Sequence, residues 1–324
     1  MQNPNQRFHK SGFISRYMAS TPSKKLYDRL HNDKTHQHFV TKWLTKINRN
    51  YTPPAMAIIN GWMSEHYKNQ WYAEILSKNM NIFSFDSRGQ GNSPKSGQLN
   101  AIQGAIDAST LVFDAFQTYD EISKKNGDPK ANKILQGNCV GTMSVAALFA
   151  GKLPLASQID GTILISPVST FSLPFPIKLT FFLPVWFVGF AIKNIAPTFA
   201  KLSVPGEESD DSRNEAMSRL NKIDPKIAVK QTRQVFWKEN VSKYWKHVKV
   251  PSLILVGNSD PIVKIHHSFE AYDKLPYPIW LELDAPDHLL LERNMDSLGK
   301  LIPEFAKDPW SVYEEYKYLR PKRN

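Results

Sequence analysis

Residues 137–141, Gly-Asn-Cys-Val-Gly, join a short apolar run to a stretch of small and apolar residues, MSVAALFA. The apolar run at 134–135 is typical of a buried strand, and the stretch that follows is compatible with a helix. Glycine on each side of the central residue permits the close backbone approach that a sharp strand-to-helix turn requires. The pattern therefore predicts an elbow that presents Cys139 at the first turn of a helix, where the helix dipole stabilises an anion. An inert buried cysteine, packed as a small apolar side chain, is the alternative.

The rest of the chain alternates short apolar runs with helical patterns. The runs end at glycine, proline or polar residues, as expected of strands that are buried on both faces. They cover residues 55–59, 82–85, 134–135, 161–165, 252–256 and 279–283, and the helical patterns cover 69–78, 101–125, 142–153 and 268–275. This alternation predicts an α/β fold with a mostly parallel sheet and helices on both faces.

A long interval without a clear strand interrupts the alternation between residues 167 and 246. An excursion of this size between two sheet strands predicts an inserted helical cap or lid. The expected organisation comprises an N-terminal extension with the first strands (1–50), a core (51–166 and 247–310), the cap (167–246) and a basic C-terminal tail (311–324). Within the extension, the pattern favours an amphipathic helix around 24–30 and an edge strand at 37–44.

A nucleophile at such an elbow needs a carboxylate and a histidine, which follow it in that order along the chain. Asp260 and His288 each follow a predicted strand, at the sheet edge where sites of open α/β folds lie. His288 would take the thiol proton and return it to the leaving group, while Asp260 would orient the imidazole. Asp287 is closer in sequence, but a directly adjacent side chain points elsewhere, so it ranks below Asp260. His266 and His267 begin a predicted helix and are expected to be surface or packing residues.

The third component of such a site is an oxyanion hole. Asn60-Gly61-Trp62 ends the strand at 55–59, where one backbone donor is expected, and the residue after the nucleophile supplies the other. We therefore nominate the backbone amides of Trp62 and Val140. The alternative for Trp62 is a core aromatic residue whose amide bonds elsewhere.

Composition narrows the classes of partner. The net charge of +11, from 41 Lys and Arg against 30 Asp and Glu, favours anionic partners such as membrane surfaces. The basic residues are spread along the chain without a nucleic-acid-binding signature, so no nucleic acid is expected. A single cysteine excludes an intramolecular disulfide and a multi-cysteine metal site. No motif requires a metal or another cofactor.

The first ten residues, MQNPNQRFHK, lack the apolar core of a signal peptide, so a cytoplasmic location is expected, with membrane association as an option.

Two further segments carry a family resemblance. Residues 86–93, DSRGQGNS, match the D-x-R-G-x-G-x-S loop of the α/β-hydrolase superfamily. Together with residues 288–292, HLLLE, they make the chain similar to the lysophospholipase, monoacylglycerol-lipase and serine-aminopeptidase branch over residues 53–305. The resemblance implies an α/β-hydrolase fold and a triad, with Asp86 and Arg88 as residues that shape a loop and take no part in catalysis.

Two positions depart from that family. The family usually has His-Gly where this chain has Asn60-Gly61, and its nucleophile is usually serine where this chain has Cys139. Cysteine nucleophiles on this fold occur in dienelactone hydrolases, polyhydroxyalkanoate synthases and bile-acid amino-acid acyltransferases. Since two of these three transfer acyl groups to acceptors other than water, the cysteine raises the expectation of transfer.

The leading hypothesis from the sequence is a carboxylic ester or thioester hydrolase for a lipid-like acyl substrate, and the alternative is an acyltransferase that uses the same triad. An acyl carrier or a coenzyme A thioester is a candidate partner. A third class is a non-catalytic ligand-binding protein on the same scaffold, which would tolerate the loss of His288.

The apolar segment 179–192 has two interpretations. It contains Phe181, Phe182, Trp186, Phe187 and Phe190. A helix that spans a bilayer needs about 20 apolar residues, so this segment is too short to cross one. Either its side chains pack onto the sheet as core, or they form a lid that lines an acyl tunnel and rests on a membrane surface, helped by nearby lysines at 178, 193 and 201.

Overall fold

The computed structural model describes residues 24–27, 31–33, 36–38, 40–44, 53–61, 70–90, 93, 98–125, 131–170, 182–184, 186–187, 224–237, 239–285 and 290–323. The predicted site residues Trp62 and His288 lie outside these ranges, as does Asp287. Most of the apolar segment 179–192 also lies outside them.

The described strands are β1 (Lys24–Tyr27), β2 (His31–Asp33), β3 (His36–His38), β4 (Val40–Leu44), β5 (Ala55–Ile59), β6 (Asn81–Phe85), β7 (Lys133–Asn138), β8 (Gly161–Ile165), β9 (Ser252–Gly257) and β10 (Pro278–Leu283). Eight of them form the central sheet, in the order β1-β4-β6-β5-β7-β8-β9-β10. Strands β5 to β10 pair in parallel, β4 pairs antiparallel with β6, and β1 pairs antiparallel with β4. A separate antiparallel pair joins β2 to β3.

Helices cover both faces of this sheet, because alternate residues of its buried strands present apolar side chains to opposite sides. The described helices are α1 (Gln70–Leu76), α2 (Ala101–Lys125), α3 (Val140–Ala150), α4 (Pro225–Thr232), α5 (His266–Lys274), α6 (Leu290–Lys307) and α7 (Pro309–Tyr316). On β7, Leu135 joins a core cluster with residues of α2, α3 and α5, whereas Ile134 joins a second cluster with residues of α1, α6 and α7. The predicted α/β architecture is confirmed.

The N-terminal predictions need correction. Residues 24–27 form strand β1 and not part of a helix, because pairing with β4 satisfies the backbone of a segment too short to be stable as an isolated helix. The predicted edge strand at 37–44 is divided between two strands. Its first two residues belong to β3, and β4 lies between β1 and β6, so β4 is not at the edge of the sheet.

Residues 166–251, which we call the β8–β9 connection, join two neighbouring strands of the sheet. Its described residues include α4, a π-helical turn at Arg233–Trp237 and a 3-10 helix at Ser242–His247, and they contain no strand. The strand-free interval of the sequence is thus confirmed for these residues. No helix within the described ranges has both the length and the apolar character needed to span a bilayer.

Candidate active site

The predicted strand-to-helix turn is confirmed at Cys139. This residue separates β7 from α3 and has φ 50° and ψ −114°, in a region that non-glycine residues rarely adopt. Its amide donates to the carbonyl of Ile165 on β8 over 2.8 Å, and its carbonyl accepts from the amide of Thr142 over 3.0 Å. The turn is therefore fastened to the next strand on one side and to the first turn of the helix on the other, with the cysteine half-buried.

The two flanking glycines have the packing that the sequence predicted. A Cβ on Gly137 would lie 2.8 Å from the Cα of Thr142, and a Cβ on Gly141 would lie 2.9 Å from the carbonyl oxygen of Asn60. Real Cβ atoms essentially never approach backbone this closely, so any side chain at either position would force the elbow apart. The G-x-C-x-G spacing is thus explained by close contact between α3, β7 and the loop after β5.

The loop after β5 lies directly beside the elbow. A Cβ on Gly61 would stand 3.4 Å from the Cβ of Cys139. The side-chain amide of Gln90 donates to the Gly61 carbonyl over 3.0 Å, and that of Asn60 donates to the carbonyl of Phe85 over 3.0 Å. Asn60, which replaces the usual histidine, is therefore used to fasten the loop to the end of β6.

The DSRGQGNS segment supports that loop from the side. Arg88 forms a buried two-point ion pair with Asp107 of α2, with distances of 2.9 and 2.7 Å. Ser93 donates to the carbonyl of Asp86 over 2.6 Å, which closes the segment on itself. Gln90, which lies between Arg88 and Ser93 in the sequence, makes the hydrogen bond to the loop that follows β5.

Asp260 lies in the loop after β9 and is 4% exposed. One carboxylate oxygen, Oδ1, accepts from the amides of Ile262 at 2.8 Å and Val263 at 3.0 Å. The other, Oδ2, accepts from the hydroxyl of Ser166 over 3.4 Å. Ser166 directly follows β8 and has φ 46°. Its role was missed from the sequence, where only the Ser-Pro step at the end of a strand was visible.

The strand ends that carry these residues meet at one edge of the sheet. Gly257, at the end of β9, is closely packed, since a Cβ there would lie 3.3 Å from the Cβ of Ala285 and 3.4 Å from that of Asp260. The amide of Ser259 also donates to the Ala285 carbonyl over 3.3 Å. The chain leaving β10 therefore contacts the Asp260 loop three residues before His288, which itself lies outside the described residues.

A buried polar chain runs beneath the elbow on the α1 side of the sheet. The hydroxyl of Tyr72 donates to Gln136 over 2.7 Å, and Gln136 in turn donates to the side chain of Asn138 over 2.8 Å. Tyr72 and Gln136 are fully buried. Burial raises the pKa of Tyr72 far above its usual range, against the smaller lowering effect of its bond to Gln136, so the phenol stays protonated and donates.

The β8–β9 connection contacts the N-terminus of α2. The carboxylate of Glu239 accepts from the amide of Ala101 at 3.0 and 2.8 Å, and Gln234 accepts from the amide of Leu99 at 2.5 Å. Burial raises the pKa of Glu239, partly offset by the backbone hydrogen bonds from Ala101 and Ile102. A carboxylate at this position complements the helix dipole and satisfies a backbone donor of the first turn.

Of the predicted site residues, Cys139 and Val140 follow the carboxyl end of β7 and Asp260 follows that of β9, with β8 between the two strands. Trp62 and His288 are outside the described ranges. Over the part of the chain that is described, no group of three or more His, Cys, Asp or Glu side chains is arranged to hold a metal ion.

Several solved structures share this fold. They include an esterase (EaEST) from Exiguobacterium antarcticum, with 11% identity and a TM-score of 0.69 over 87% of this chain and 100% of that chain. A bromoperoxidase from Bacillus anthracis has 15% identity and a TM-score of 0.65 over 88% and 100% of the two chains. An enol-lactonase from Burkholderia xenovorans LB400 has 15% identity and a TM-score of 0.64 over 86% and 99%. At these identities the likeness shows the fold alone.

The sequence has no significant match among curated proteins. The profile of the family described as "Serine aminopeptidase, S33" matches residues 55–279, which include the elbow, the DSRGQGNS segment and Asp260. This match covers more than half of the chain, and the parallel sheet and elbow agree with it. The chain therefore belongs to the S33 serine aminopeptidase family and has the α/β-hydrolase fold.

Proposed function

We propose that this protein is a carboxylic ester or thioester hydrolase that acts on a lipid-like acyl substrate through a triad of Cys139, His288 and Asp260. The observation that carries the proposal is the backbone conformation of Cys139, at φ 50° between β7 and α3. Such a conformation costs roughly 1–3 kcal/mol and persists where surrounding structure enforces it, as at functional sites. A cysteine that merely filled the core would need neither this conformation nor the tightly packed glycines around it.

In the proposed reaction, His288 accepts the thiol proton of Cys139 and the thiolate attacks the acyl carbonyl. The carbonyl π electrons move to oxygen, and the backbone amides of Trp62 and Val140 donate to the resulting oxyanion. Collapse of this intermediate expels the alcohol or thiol, which takes the proton from His288 and leaves an acyl group on the cysteine. Water then attacks the thioester by the same route, releasing the carboxylic acid and restoring the thiol.

The environment of Asp260 supports its role as the residue that orients His288. Two backbone amides and the Ser166 hydroxyl hold the carboxylate in a fixed position. A buried carboxylate with its orientation fixed in this way can stabilise an imidazolium without taking its proton. Ala285 contacts the same loop, and His288 follows it by only three residues in the chain. This contact supports the proposal that His288 reaches the Asp260 carboxylate.

The choice of an ester substrate rests on similar proteins. The comparison structures include an esterase, an enol-lactonase and a membrane phospholipase A. This is an argument by analogy of fold, and it favours ester bonds over the peptide bonds suggested by the family description. A lipid-like acyl group agrees with the apolar residues of the β8–β9 connection, which we propose to be the cap, since acyl pockets are mostly apolar.

An acyltransferase is the second candidate, and the observation that favours it is the cysteine at the elbow. A thioester intermediate reacts well with amines and thiols, so an acceptor other than water could intercept it. The net charge of +11 would favour an acyl carrier or a coenzyme A thioester as the donor. The two candidates share every residue of the triad and differ only in the acceptor.

A panel of substrates tests the proposal. Short-chain and long-chain p-nitrophenyl esters, an acyl coenzyme A and an aminoacyl p-nitroanilide would be offered to the protein and to the variants Cys139→Ala, His288→Ala and Asp260→Asn. The variant Asp273→Asn, an exposed carboxylate on α5, is the matched control. We expect ester and thioester turnover in the parent protein and the control, and a loss of at least about 10³-fold in the triad variants.

The same panel separates the alternatives. Addition of a primary amine or a thiol should leave the yield of free acid unchanged for a hydrolase, and should divert it to the acylated acceptor for a transferase. The variant Cys139→Ser should retain measurable esterase activity in a hydrolase but lose most turnover in a transferase. Substrate binding without turnover, undisturbed in His288→Ala, would contradict both and indicate a ligand-binding protein.

A further inference from the structure

Among the described residues of the β8–β9 connection, four large apolar side chains are exposed, and we call them the aromatic tip: Phe182, Leu183, Trp186 and Phe187. Phe182 and Trp186 expose 70% and 74% of their surface, and the other two expose about two fifths each, at 38% and 40%. The Trp186 and Phe187 rings meet edge to face with centroids 5.8 Å apart, and the Phe187 amide donates to the carbonyl of Pro184. The tip is thus a compact turn, and packing as core is the wrong interpretation for these four residues.

A cationic stripe lies next to the tip. Lys226, Lys230 and Arg233 follow one another at spacings of four and three residues on α4 and the turn after it, so they share one helix face. The Arg233 guanidinium donates to the carbonyl of Leu183 over 3.4 Å, which joins the stripe to the tip. The other face of α4 is buried through residues such as Ile227. On the face that carries the stripe, Lys226 is exposed and Lys230 and Arg233 are half-buried.

From these two features we infer that the aromatic tip and the cationic stripe dock this protein on anionic lipid bilayers. Trp and Phe side chains are favoured at the boundary between head groups and acyl chains, and lysines near an anionic leaflet add electrostatic attraction. A second copy of the chain is a poor occupant, since it carries the same net charge of +11. An uncharged protein surface would cover the tip but would offer no charge complementary to the exposed Lys226.

The position of α4 relates this surface to the candidate active site. On the buried face of α4, the side chain of Ile227 packs so tightly against Gly89 that a Cβ on that glycine would lie 3.0 Å from it. Gly89 belongs to the DSRGQGNS segment, whose Gln90 holds the carbonyl of Gly61 beside Cys139. Docking through the opposite face of α4 would therefore place the loops around the cysteine close to the bilayer. The docking itself does not depend on the proposed triad.

Sedimentation with vesicles tests this inference without catalysis. Vesicles of ether-linked phosphatidylglycerol, which contain no ester to hydrolyse, would be compared with vesicles of ether-linked phosphatidylcholine. We expect binding to the anionic vesicles that weakens as salt is raised from about 0.05 M to about 0.5 M. The double variant Trp186→Ser/Phe187→Ser should bind at least about tenfold more weakly. Removal of charge in Lys226→Gln and Lys230→Gln should weaken binding about fivefold for each lysine.

Two controls keep the outcome clear. Tyr318→Ser removes an aromatic side chain that is also 74% exposed but lies outside the proposed surface, and it should bind vesicles like the parent protein. Trp186→Phe retains an aromatic ring and should fold normally, yet brominated phosphatidylglycerol should quench less tryptophan fluorescence in it than in the parent protein.

Three results would overturn the inference. The first is that the tip variant and the parent protein bind vesicles equally well. The second is that the protein binds phosphatidylglycerol and phosphatidylcholine vesicles with the same affinity. The third is a protein that binds no vesicles but changes from dimer to monomer in the tip variant, because the tip would then be an interface between copies of this chain. Loss of ester turnover with normal docking would instead contradict the proposed function alone.

Discussion

The backbone of Gly61 lies against the side chain of Cys139, so that a Cβ built on the glycine would stand 3.4 Å from the cysteine Cβ and 3.0 Å from the carbonyl oxygen of Asn138. Gln90 fastens the same glycine from the other side through its carbonyl. The loop after β5 and the elbow after β7 thus share one narrow contact, and Val140, whose amide we propose as an oxyanion donor, directly follows the elbow cysteine.

The first prediction concerns that contact. Gly61→Ala should push the loop away from the elbow by a few tenths of an ångström and misplace the oxyanion donor. We expect kcat on a short-chain ester to fall by about 10–10²-fold with a smaller effect on KM. In the control Gly299→Ala, on α6, the new Cβ would meet Met295 at an ordinary 3.4 Å. That variant should keep full activity and gain about 0.5–1 kcal/mol of stability. Equal activity in Gly61→Ala and Gly299→Ala would mean that the loop after β5 takes no part in the active site.

A second prediction concerns the buried ion pair between Arg88 and Asp107. Asp107→Asn leaves the guanidinium without its countercharge in a site where both side chains are less than 10% exposed, at 8% and 5%. We expect the free energy of unfolding to fall by about 3–5 kcal/mol in urea denaturation. The exposed ion pair of Asp273 with Arg323 provides the comparison, and Asp273→Asn should change stability by less than about 1 kcal/mol. Similar losses of unfolding free energy in Asp107→Asn and Asp273→Asn would mean that the buried ion pair does not hold the segment beside the loop any more firmly than an exposed pair would.

The third prediction concerns the polar chain beneath the elbow. Tyr72→Phe removes the donor to Gln136 and leaves a buried amide oxygen without it, at a cost of about 1–3 kcal/mol. Gln136→Leu should cost at least as much, because it also removes the donor to Asn138. The double variant should cost less than the sum, because each substitution removes the partner that the other one leaves unsatisfied in the Tyr72–Gln136 bond. Urea denaturation of all four proteins measures this coupling. Additive losses would show that the hydrogen bond makes no net contribution.

A fourth prediction follows from the titration of Glu239. Because burial raises its pKa, the folded state takes up this proton at a higher pH than the unfolded state does. The stability that this group contributes is therefore fully present below about pH 4.3, the usual glutamate pKa, and is lost as the pH rises through the folded pKa. The variant Glu239→Gln cannot titrate. The stability of the parent protein relative to this variant should accordingly decline as the pH is raised from about 4 to 7.

Glu270 provides a control of opposite sign. Burial alone would raise its pKa, but hydrogen bonds from Lys274, Ser242 and Ser169 bring the pKa below its usual value. Its contribution is therefore present above the usual glutamate pKa and is lost as the pH falls through the folded pKa. The stability of the parent protein relative to Glu270→Gln should therefore fall as the pH is lowered below about 4.3 and stay level above that pH. Two pH profiles with the same sign would contradict the account of either residue.

Much of the sheet could be predicted because its strands are short apolar runs with polar or glycine boundaries. Residues 55–59 and 161–165 match β5 and β8, and the helical pattern at 101–125 matches α2. Strands buried on both faces need such runs, and a long helix repeats its apolar positions often enough to be recognised. The elbow was predictable because three backbone segments meet where only glycine fits.

The supporting contacts were beyond the reach of the sequence, since they join residues that are far apart in the chain. Tyr72 and Gln136 are 64 residues apart, and Glu239 reaches back 138 residues to Ala101. The sequence around these residues shows no local pattern that would distinguish them from polar residues without such a partner. Strand β1 was mistaken for a helix for a related reason, because its conformation depends on pairing with β4 and its four residues show no decisive period.

The central claim is that Cys139 carries the acyl group during turnover, and intact-protein mass spectrometry after rapid acid quenching tests it most directly. Mixing the protein with a slowly hydrolysed acyl thioester should add the mass of one acyl group, and peptide mapping should place it on Cys139. Asp260→Asn should acquire the adduct more slowly, and Cys139→Ala should acquire none. A Cys139→Ala variant that still turns over the substrate, with no adduct on the parent protein at any quench time, would contradict the proposed mechanism.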